Sequence, residues 1–390
     1  MTWISTIQIM SKEKSSERFH HIDAMRAIAV ILVIWTHYAE RFAPIAGSQQ
    51  ALDILQSSVN FGRIGVVLFF AISGMLIPTS LYGEVGVGTK RFLIRRFLRL
   101  YPAYWLALPA GYFVHWYLFD KKMSIYGFLA NVTMIPVAFG ESLILPHGWT
   151  LETELYFYGL CLILFWCGIL HRMSCLCLVS IGLCGLFAMN LELRLVPTSV
   201  LSQYKTMPYH LGIMFWGACF RQAYDGPYQM IRVRLARSGA LSHISLTYRS
   251  AVVYATIPIV GIALTGAISD WRHHNMFHLP ISLAYMIGIA IFAMLATLLK
   301  LRIRLLSWLG EISYSIYLLH SLPLFAAFWL CQRFHIVGWP LGLYMIVPIV
   351  PLIPLSWAGY RFCEAPFVEL ARMLTARRRS AVLASGGADC

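Results

Sequence analysis

Charge is what this sequence has least of. Asp, Glu, Lys and Arg together make up 12% of its 390 residues, against 59% hydrophobic residues. An ordinary soluble chain is about a quarter charged. So little polar surface cannot cover a water-soluble particle of this size, which excludes a soluble globular fold. No CxxC pair occurs among the nine cysteines. Most of them, Cys161, Cys177 and Cys184 included, stand within or beside apolar runs, so they read as small core residues rather than a disulfide frame or a metal set. The segment Met1 to Phe19 lacks the apolar h-region and small-residue cleavage site of a signal peptide, so the first apolar helix is expected to act as an uncleaved membrane signal. An internal duplication is also missing, and with it the usual signature of a transporter built from two half-chain repeats.

What the sequence has in place of charge is apolar length. Runs of about 17–25 residues, enough to cross a ~30 Å hydrocarbon core, recur from Ala24 to Phe362. The expected spans are Ala24–Tyr38, Gly62–Tyr82, Leu100–Phe119, Leu151–Leu170, Met173–Asn190, Pro208–Tyr224, Ser250–Ser269, Leu279–Leu299, Ser307–Cys331 and Pro340–Phe362. The fold class is therefore an all-α integral membrane protein, a bundle of about ten transmembrane helices. A segment of 1–21 precedes the bundle of 22–370, and a basic, then small and polar tail, 371–390, is expected to be disordered. The stretch Ser124–Pro146 is apolar enough to lie in the interface or re-enter the membrane.

The formal net charge of +14 would suggest nucleic acid as a partner for a soluble protein. Here Lys and Arg collect in alternate loops. With the N-terminus in the cytoplasm, 23 of the 31 fall inside, as the positive-inside rule requires. Both termini are then expected in the cytoplasm, the lipid bilayer is the partner, and no nucleic acid is.

An ionisable group within an apolar helix costs about 2.5–3.5 kcal/mol on insertion scales, so each one is a functional hypothesis. Arg26 and His37 lie eleven residues apart on the first helix. At about 100° per residue they point within about 20° of each other, about 16 Å apart along the axis. Two readings stand: a snorkelling arginine with a hydrogen-bonded histidine, or one polar passage able to hold a long ligand. Downstream, Arg91, Arg95 and Arg99 recur every fourth residue, with Arg96 beside them. On a helix they line a stripe suited to the oxygens of a polyphosphate, with anionic lipid headgroups as the competing ligand.

Four other segments carry candidate groups. Ser73, among small residues that suit helix packing, could hydrogen-bond a ligand. Trp149 to Tyr158 places Glu152 and Glu154 at the entrance of an otherwise apolar helix, where they serve as rim residues, or orient a histidine or sugar hydroxyls. Ser313, Tyr317 and His320 share one face of the ninth span, with His320 at a depth comparable to His37 but read first as a satisfied structural histidine. The HxxxH spacing among His273, His274 and His278 lies on a polar loop with no third-ligand pattern, so no metal site is expected.

Together these segments resemble the membrane-bound acyltransferase family 3, whose members O-acylate cell-envelope polysaccharides and some secondary metabolites. The resemblance runs from Ile22 to Phe367. It rests on Asp23 and Arg26 followed by His37, the run Phe69-Phe70-Ala-Ile-Ser73-Gly74, the Arg-Arg-Phe-Leu-Arg-Leu-Tyr-Pro segment, Trp149-Thr-Leu-Glu-Thr-Glu154 with Phe157-Tyr158, Ile312-Ser-Tyr-Ser-Ile-Tyr-Leu-Leu-His320, and Glu364-Ala-Pro-Phe367. Ala24-Met25 departs from the glycine-leucine pair usual after the aspartate. The extra periplasmic esterase-like domain of many relatives is not found, so the chain is expected to complete the reaction itself or pass acyl groups to a separate partner.

The resemblance implies transfer of an acyl group, acetyl from acetyl-CoA, to a hydroxyl of a cell-surface or exported carbohydrate, in the inner membrane. A macrolide-type sugar acceptor and a transporter of a small anionic or carbohydrate substrate are the alternatives. Arg91, Arg95, Arg96 and Arg99 would hold the CoA phosphates. Arg26 would steer the pantetheine arm or orient the catalytic group, and His37 would act as general base or be acylated itself. Glu154, Tyr317 and His320 would support His37 or the acceptor, with Asp23, Ser73, Trp149, Tyr158 and Ser313 lining the site.

Overall fold

In this computed structural model, residues 3–47, 50, 53, 59–194, 196, 202–237, 240–275 and 277–376 are described, with their side chains except those of 3–20, 202–203 and 232–244. The first helix, α1, runs Trp3–Phe42 without a break at the expected membrane boundary. α2 is Phe61–Leu76, started by Asn60, whose side chain accepts from the Arg63 amide at 2.8 Å. α3 (Val85–His115) takes in the whole arginine segment. α4 (Ile125–Val132) is too short to cross a membrane, and tight turns at Pro136–Phe139 and Pro146–Gly148 complete the 124–146 stretch and its exit. Then come α5 (Trp149–Trp166), α6 (Met173–Leu193) and α7 (Met207–Asp225). After a hairpin follow α8 (Tyr248–Arg272) and α9 (Leu279–Met294). The remaining helices are α10 (Arg304–Glu311), α11 (Ser313–Leu319), α12 (Ser321–Arg333), α13 (Leu341–Gly359) and α14 (Ala365–Thr375).

The chain is a helical membrane protein, and seven of its described helical stretches are long and apolar enough to cross a bilayer. Their outward faces stay apolar where no protein covers them: Leu178 on α6 is 71% exposed, as lipid contact requires. Three expected spans coincide with α3, α5 and α7, which do not meet that standard. The reason is visible in their surroundings. α3 carries the arginines, and α5 carries Glu152 and Glu154. α7 is buried at every residue from Tyr209 to Cys219, enclosed by protein. Helices that face other helices are free to be more polar than those that face lipid.

The fold departs from the sequence expectation at three further places. The charged stretch 221–249, expected as a loop in an all-α fold, contains an antiparallel hairpin, β1 (Met230–Arg237) with β2 (Ala240–Thr247), in register from Met230 opposite Thr247 to Arg237 opposite Ala240. The alternation of Ile231, Val233 and Leu235 with arginines is a period of two, the strand pattern. The expected ninth span does not begin at Ser307. It is broken at Ile312 and again at His320, where Pro323 has no N–H for the Leu319 carbonyl and its ring crowds it; the apolar stretch is Ser313–Arg333. The tail expected from 371 is helical to Thr375, and 377–390 lies outside the described residues.

Backbone contacts fix the bundle. α2 crosses α7 with Gly74 against Met214: a Cβ added at Gly74 would sit 1.8 Å from the Met214 carbonyl oxygen. α10 lies as closely on α1, where a Cβ at Gly310 would fall 1.8 Å from the Asp23 carbonyl oxygen. Only glycine permits either approach.

Candidate active site

Arg26 and His37 do point to the same side of α1, but they open into two chambers. This corrects the expectation of a single passage. Arg26 lines a cavity of about 830 Å³ together with Arg96, Arg99, Ser73, Glu154, Tyr158, Ser313, Tyr314 and Tyr317. His37 lines a second, of about 680 Å³, with Glu40, Arg41, His147, Trp149, His320 and Phe325. The two linings share no residue, and Tyr317 of α11 stands between them.

The arginine chamber is built on four elements. Arg26 is steadied by Asp23 at 3.8 Å on the preceding turn of α1. On α5, the Glu154 carboxylate accepts from Tyr158 Oη at 2.8 Å and from Ser73 Oγ of α2 at 3.2 Å, all through Oε1. Glu154, expected to support His37 or the acceptor, therefore lies in Arg26's chamber and not in His37's. Ser313 Oγ of α11 is buried and has no hydrogen-bond partner among the described residues. It lines the cavity, so its hydroxyl is held ready for a ligand atom.

The arginines of α3 form a track into this chamber. Arg91 and Arg95 line an outer groove with Glu84, Lys90 and Thr375. Arg95, Arg96 and Arg99 line the next with Arg372, and Arg96 and Arg99 go on to line the chamber itself. The outer three are anchored: Arg91 lies 3.5 Å above the Tyr82 ring and donates to its carbonyl. Arg95 donates to Thr375 Oγ1 at 2.8 Å, and Arg96 to Ser80 Oγ at 3.3 Å. The four-residue spacing thus makes a stripe, as expected, but of its three members only Arg99, with Arg96 beside it, reaches the cavity that holds Arg26.

The histidine chamber contains three imidazoles. His37 and His320 stack with ring centres 5.5 Å apart, and His147 lies 4.5 Å from His320. His320 Nδ1 is 2.6 Å from the Tyr317 carbonyl, and His147 Nε2 is 3.2 Å from the Leu318 carbonyl. A carbonyl only accepts, so those nitrogens carry the protons, and His320 Nε2 and His147 Nδ1 are left with lone pairs. The Tyr38 hydroxyl donates to the His320 carbonyl at 2.9 Å and ties α1 to the α11–α12 break. His37 itself is accessible, with 45% of its side chain exposed, and has Glu40 Oε2 4.0 Å from Nδ1. Rather than converge as ligands would, the imidazoles stack, and among the described residues no three His, Cys, Asp or Glu side chains form a metal set. Of the loop histidines, His273 bonds the Ser269 carbonyl through Nδ1 at 2.7 Å.

Between the chambers stands one polar layer. Tyr317 Oη is 2.5 Å from Thr150 Oγ1, and both hydroxyls reach the His147 carbonyl, at 3.0 and 3.1 Å. The Tyr317 ring lies 5.2 Å from His147 and 5.7 Å from His320, so the residue that closes the arginine chamber also touches the imidazoles of the other.

Burial pushes the His147 imidazole well below the ordinary histidine range, and the neighbouring His320, His115 and His37 add to the effect. The folded protein keeps this group neutral, whereas the unfolded chain takes up a proton below about pH 6.5. The contribution is therefore fully present above that pH and declines as pH falls through it. His147→Gln should flatten the acid side of a thermal-stability profile measured from about pH 5 to 8; an unchanged slope would contradict this origin.

Several site residues carry no sequence signal. His147 lies in a tight turn with no periodicity, and Thr150 looks like an ordinary helix start. Glu40 and Arg41 are findable, because they follow His37 at the third and fourth positions of the same helix. Trp149 bridges regions: its ring meets Phe70 and His210, at 6.2 and 5.4 Å, and Arg63 sits 5.6 Å from its centre.

Comparison with known proteins agrees with this architecture. The model of an acyltransferase domain family, acyltransferase 3, matches residues 19–361. ORF330 of Acidianus two-tailed virus, provisionally named an acetyltransferase, is 25% identical over 288 residues, covering 70% of this chain and 76% of its own. Protein 2 in the picA locus of Rhizobium radiobacter is 29% identical over 162 residues, 36% of this chain and 78% of its own. No solved structure matches.

Proposed function

This chain belongs to the acyltransferase 3 family, and from that premise we propose that it carries an acetyl group from acetyl-CoA to a hydroxyl of an exported or cell-surface carbohydrate. The observation that carries the proposal is the pair of chambers, one walled with arginine and the other with histidine, on two sides of a single tyrosine. The proposed setting is the cytoplasmic membrane, crossed about ten times with both termini inside. The excess of basic residues in alternate loops supports that orientation, and it turns the arginine track toward the cytoplasm.

The phosphates of acetyl-CoA bind along Arg91, Arg95, Arg96 and Arg99, which offer planar, bidentate donors. The pantetheine arm enters the arginine chamber past Arg26, where Ser313 and the Glu154-oriented Ser73 supply polar contacts. Displacement of the Tyr317–Thr150 pair brings the thioester to His37. The acceptor waits in the histidine chamber with Trp149 and His320. His37 takes the proton of its hydroxyl, the oxygen attacks the thioester carbonyl, and the new ester bond forms as the carbon–sulfur bond breaks. The proton then passes to the departing thiolate. An imidazole can both accept a proton and return it, which suits both proton steps.

Radiolabelled acetyl-CoA with the purified protein in detergent, and the native cell glycans as acceptor, tests this reading: label should enter ester-linked acetate. Label that stays with CoA in the presence of every glycan fraction would overturn it. A companion measurement concerns the track. Arg99→Ala removes charge-assisted hydrogen bonds of about 1.5–3 kcal/mol, so KM for acetyl-CoA should rise roughly tenfold to a hundredfold while the thermal midpoint holds. Arg91→Ala, at the outer groove, should have a smaller effect. A donor KM indifferent to both would detach the arginines from the donor.

A further inference from the structure

One cation in the histidine chamber makes no hydrogen bond or salt bridge among the described residues. Arg41 lines the cavity, and its guanidinium carbon lies over the Phe325 ring at 4.1 Å and the Phe328 ring at 5.1 Å from the ring centres. The adjacent Glu40 acts on it electrostatically, but among the described residues it forms no salt bridge and none of its N–H groups makes a hydrogen bond to the protein. A cation held over aromatic rings keeps its five N–H donors, set in a fixed fork, for other partners. The other charged residue lining the chamber is Glu40, and it is the one that approaches His37, at 4.0 Å. Phe325 and Phe328 thus hold Arg41 in position without consuming its hydrogen-bonding capacity, the arrangement of a binding residue and not of a structural ion pair.

Its place relative to His37 gives the ligand a shape. Four residues on a helix put the two side chains on the same face, with an axial rise of about 6 Å. A single sugar ring spans that distance. Resting on the acyltransferase reading above, we infer that the acceptor carries an anionic oxygen group, a carboxylate or a phosphate, about one ring's width from the hydroxyl that is acylated, and that Arg41 receives it. This selects acidic sugars over neutral ones. It also assigns a use to the stacked phenylalanines of α12, which the transfer reaction alone does not require.

The test uses the full-length protein in detergent micelles with three probes of matched ring: methyl glucoside, methyl glucuronide and methyl glucoside 6-phosphate, each also in the galacto series. Binding is read by saturation-transfer NMR, and acetyl transfer by label from acetyl-CoA. The charged members should bind and accept acetate at least tenfold better than their neutral counterparts, and the carboxylate and phosphate arms show which group is preferred. Arg41→Gln should abolish the preference, Arg41→Lys should restore part of it, and neither should alter acetyl-CoA binding. Equal handling of charged and neutral probes, a preference that survives Arg41→Gln, or no selective signal from any charged probe overturns the inference. Acetyl-CoA binding and His37-dependent label release, measured in the same preparations, keep the two proposals apart. Their loss removes the acyltransferase reading, whereas their persistence without a charge preference removes only the role of Arg41.

Discussion

His37→Ala should lower acetyl transfer by about 10²–10⁴ in kcat, the range a positioned general base contributes, with little change in thermal midpoint or in acetyl-CoA KM. Each part of that expectation has a structural source. The side chain is 45% exposed, so its removal leaves no sealed cavity and breaks no buried hydrogen bond. Its chamber is separate from the one lined by the arginines, so donor affinity has no reason to change. A fall in kcat with an unchanged donor KM is the signature of an interaction made in the transition state only. His320 is the natural confounder, because its ring stacks on His37 at 5.5 Å and retains a lone pair on Nε2. The His320→Asn variant separates the two. If it matches the loss in His37→Ala, the imidazoles work as a unit; if it alone is silenced, the base is His320. Transfer that continues at the normal rate in His37→Ala would end the mechanism.

The helices, the common azimuth of Arg26 and His37, and the arginine stripe are legible in the amino-acid sequence alone, because each is a local regularity. Period and spacing along one helix report which residues share a face. They do not report what stands opposite. Tyr317 lies 280 residues beyond His37 in the chain, and nothing in either segment's pattern says that a tyrosine from one closes the passage opened by the other. Glu154 escapes correct placement for the same reason: its depth is readable, but its neighbours Ser73 and Tyr158, and hence its chamber, are set by how α2 meets α5. His147, held in a turn by tertiary contacts alone, has no pattern to betray it. The β1–β2 hairpin is different, since its alternation of apolar and basic residues is present in the sequence but is outweighed there by the total charge of the segment.

Gly74→Ala should be among the most damaging methyl additions at the described glycines of this protein. The new Cβ would lie 1.8 Å from the Met214 carbonyl oxygen and 2.7 Å from its carbon, both backbone atoms of a helix that cannot rotate aside as a side chain can. Overpacking costs typically about 1–3 kcal/mol and sometimes more, and a clash with backbone on both sides belongs at the upper end. The same crossing carries the reverse contact, a Cβ at Gly217 falling 2.3 Å from the Ala71 carbonyl oxygen. Because one outward displacement of α2 from α7 relieves both clashes, the Gly74→Ala/Gly217→Ala double variant should lose less stability than the sum of the single ones, a coupling expected of neighbours that share one rearrangement. Gly159→Ala on α5, where an added Cβ meets nothing within 4 Å, is the matched control and should be neutral or slightly stabilising. Thermal midpoint and monodisperse yield in detergent read all four proteins. The surviving Gly74→Ala molecules should also transfer acetate poorly, since the displacement moves the adjacent Ser73 away from Glu154 and opens the arginine chamber from the side. Full stability in Gly74→Ala, or strictly additive losses in the double variant, would show that α2 and α7 do not cross as closely as Gly74 and Gly217 imply.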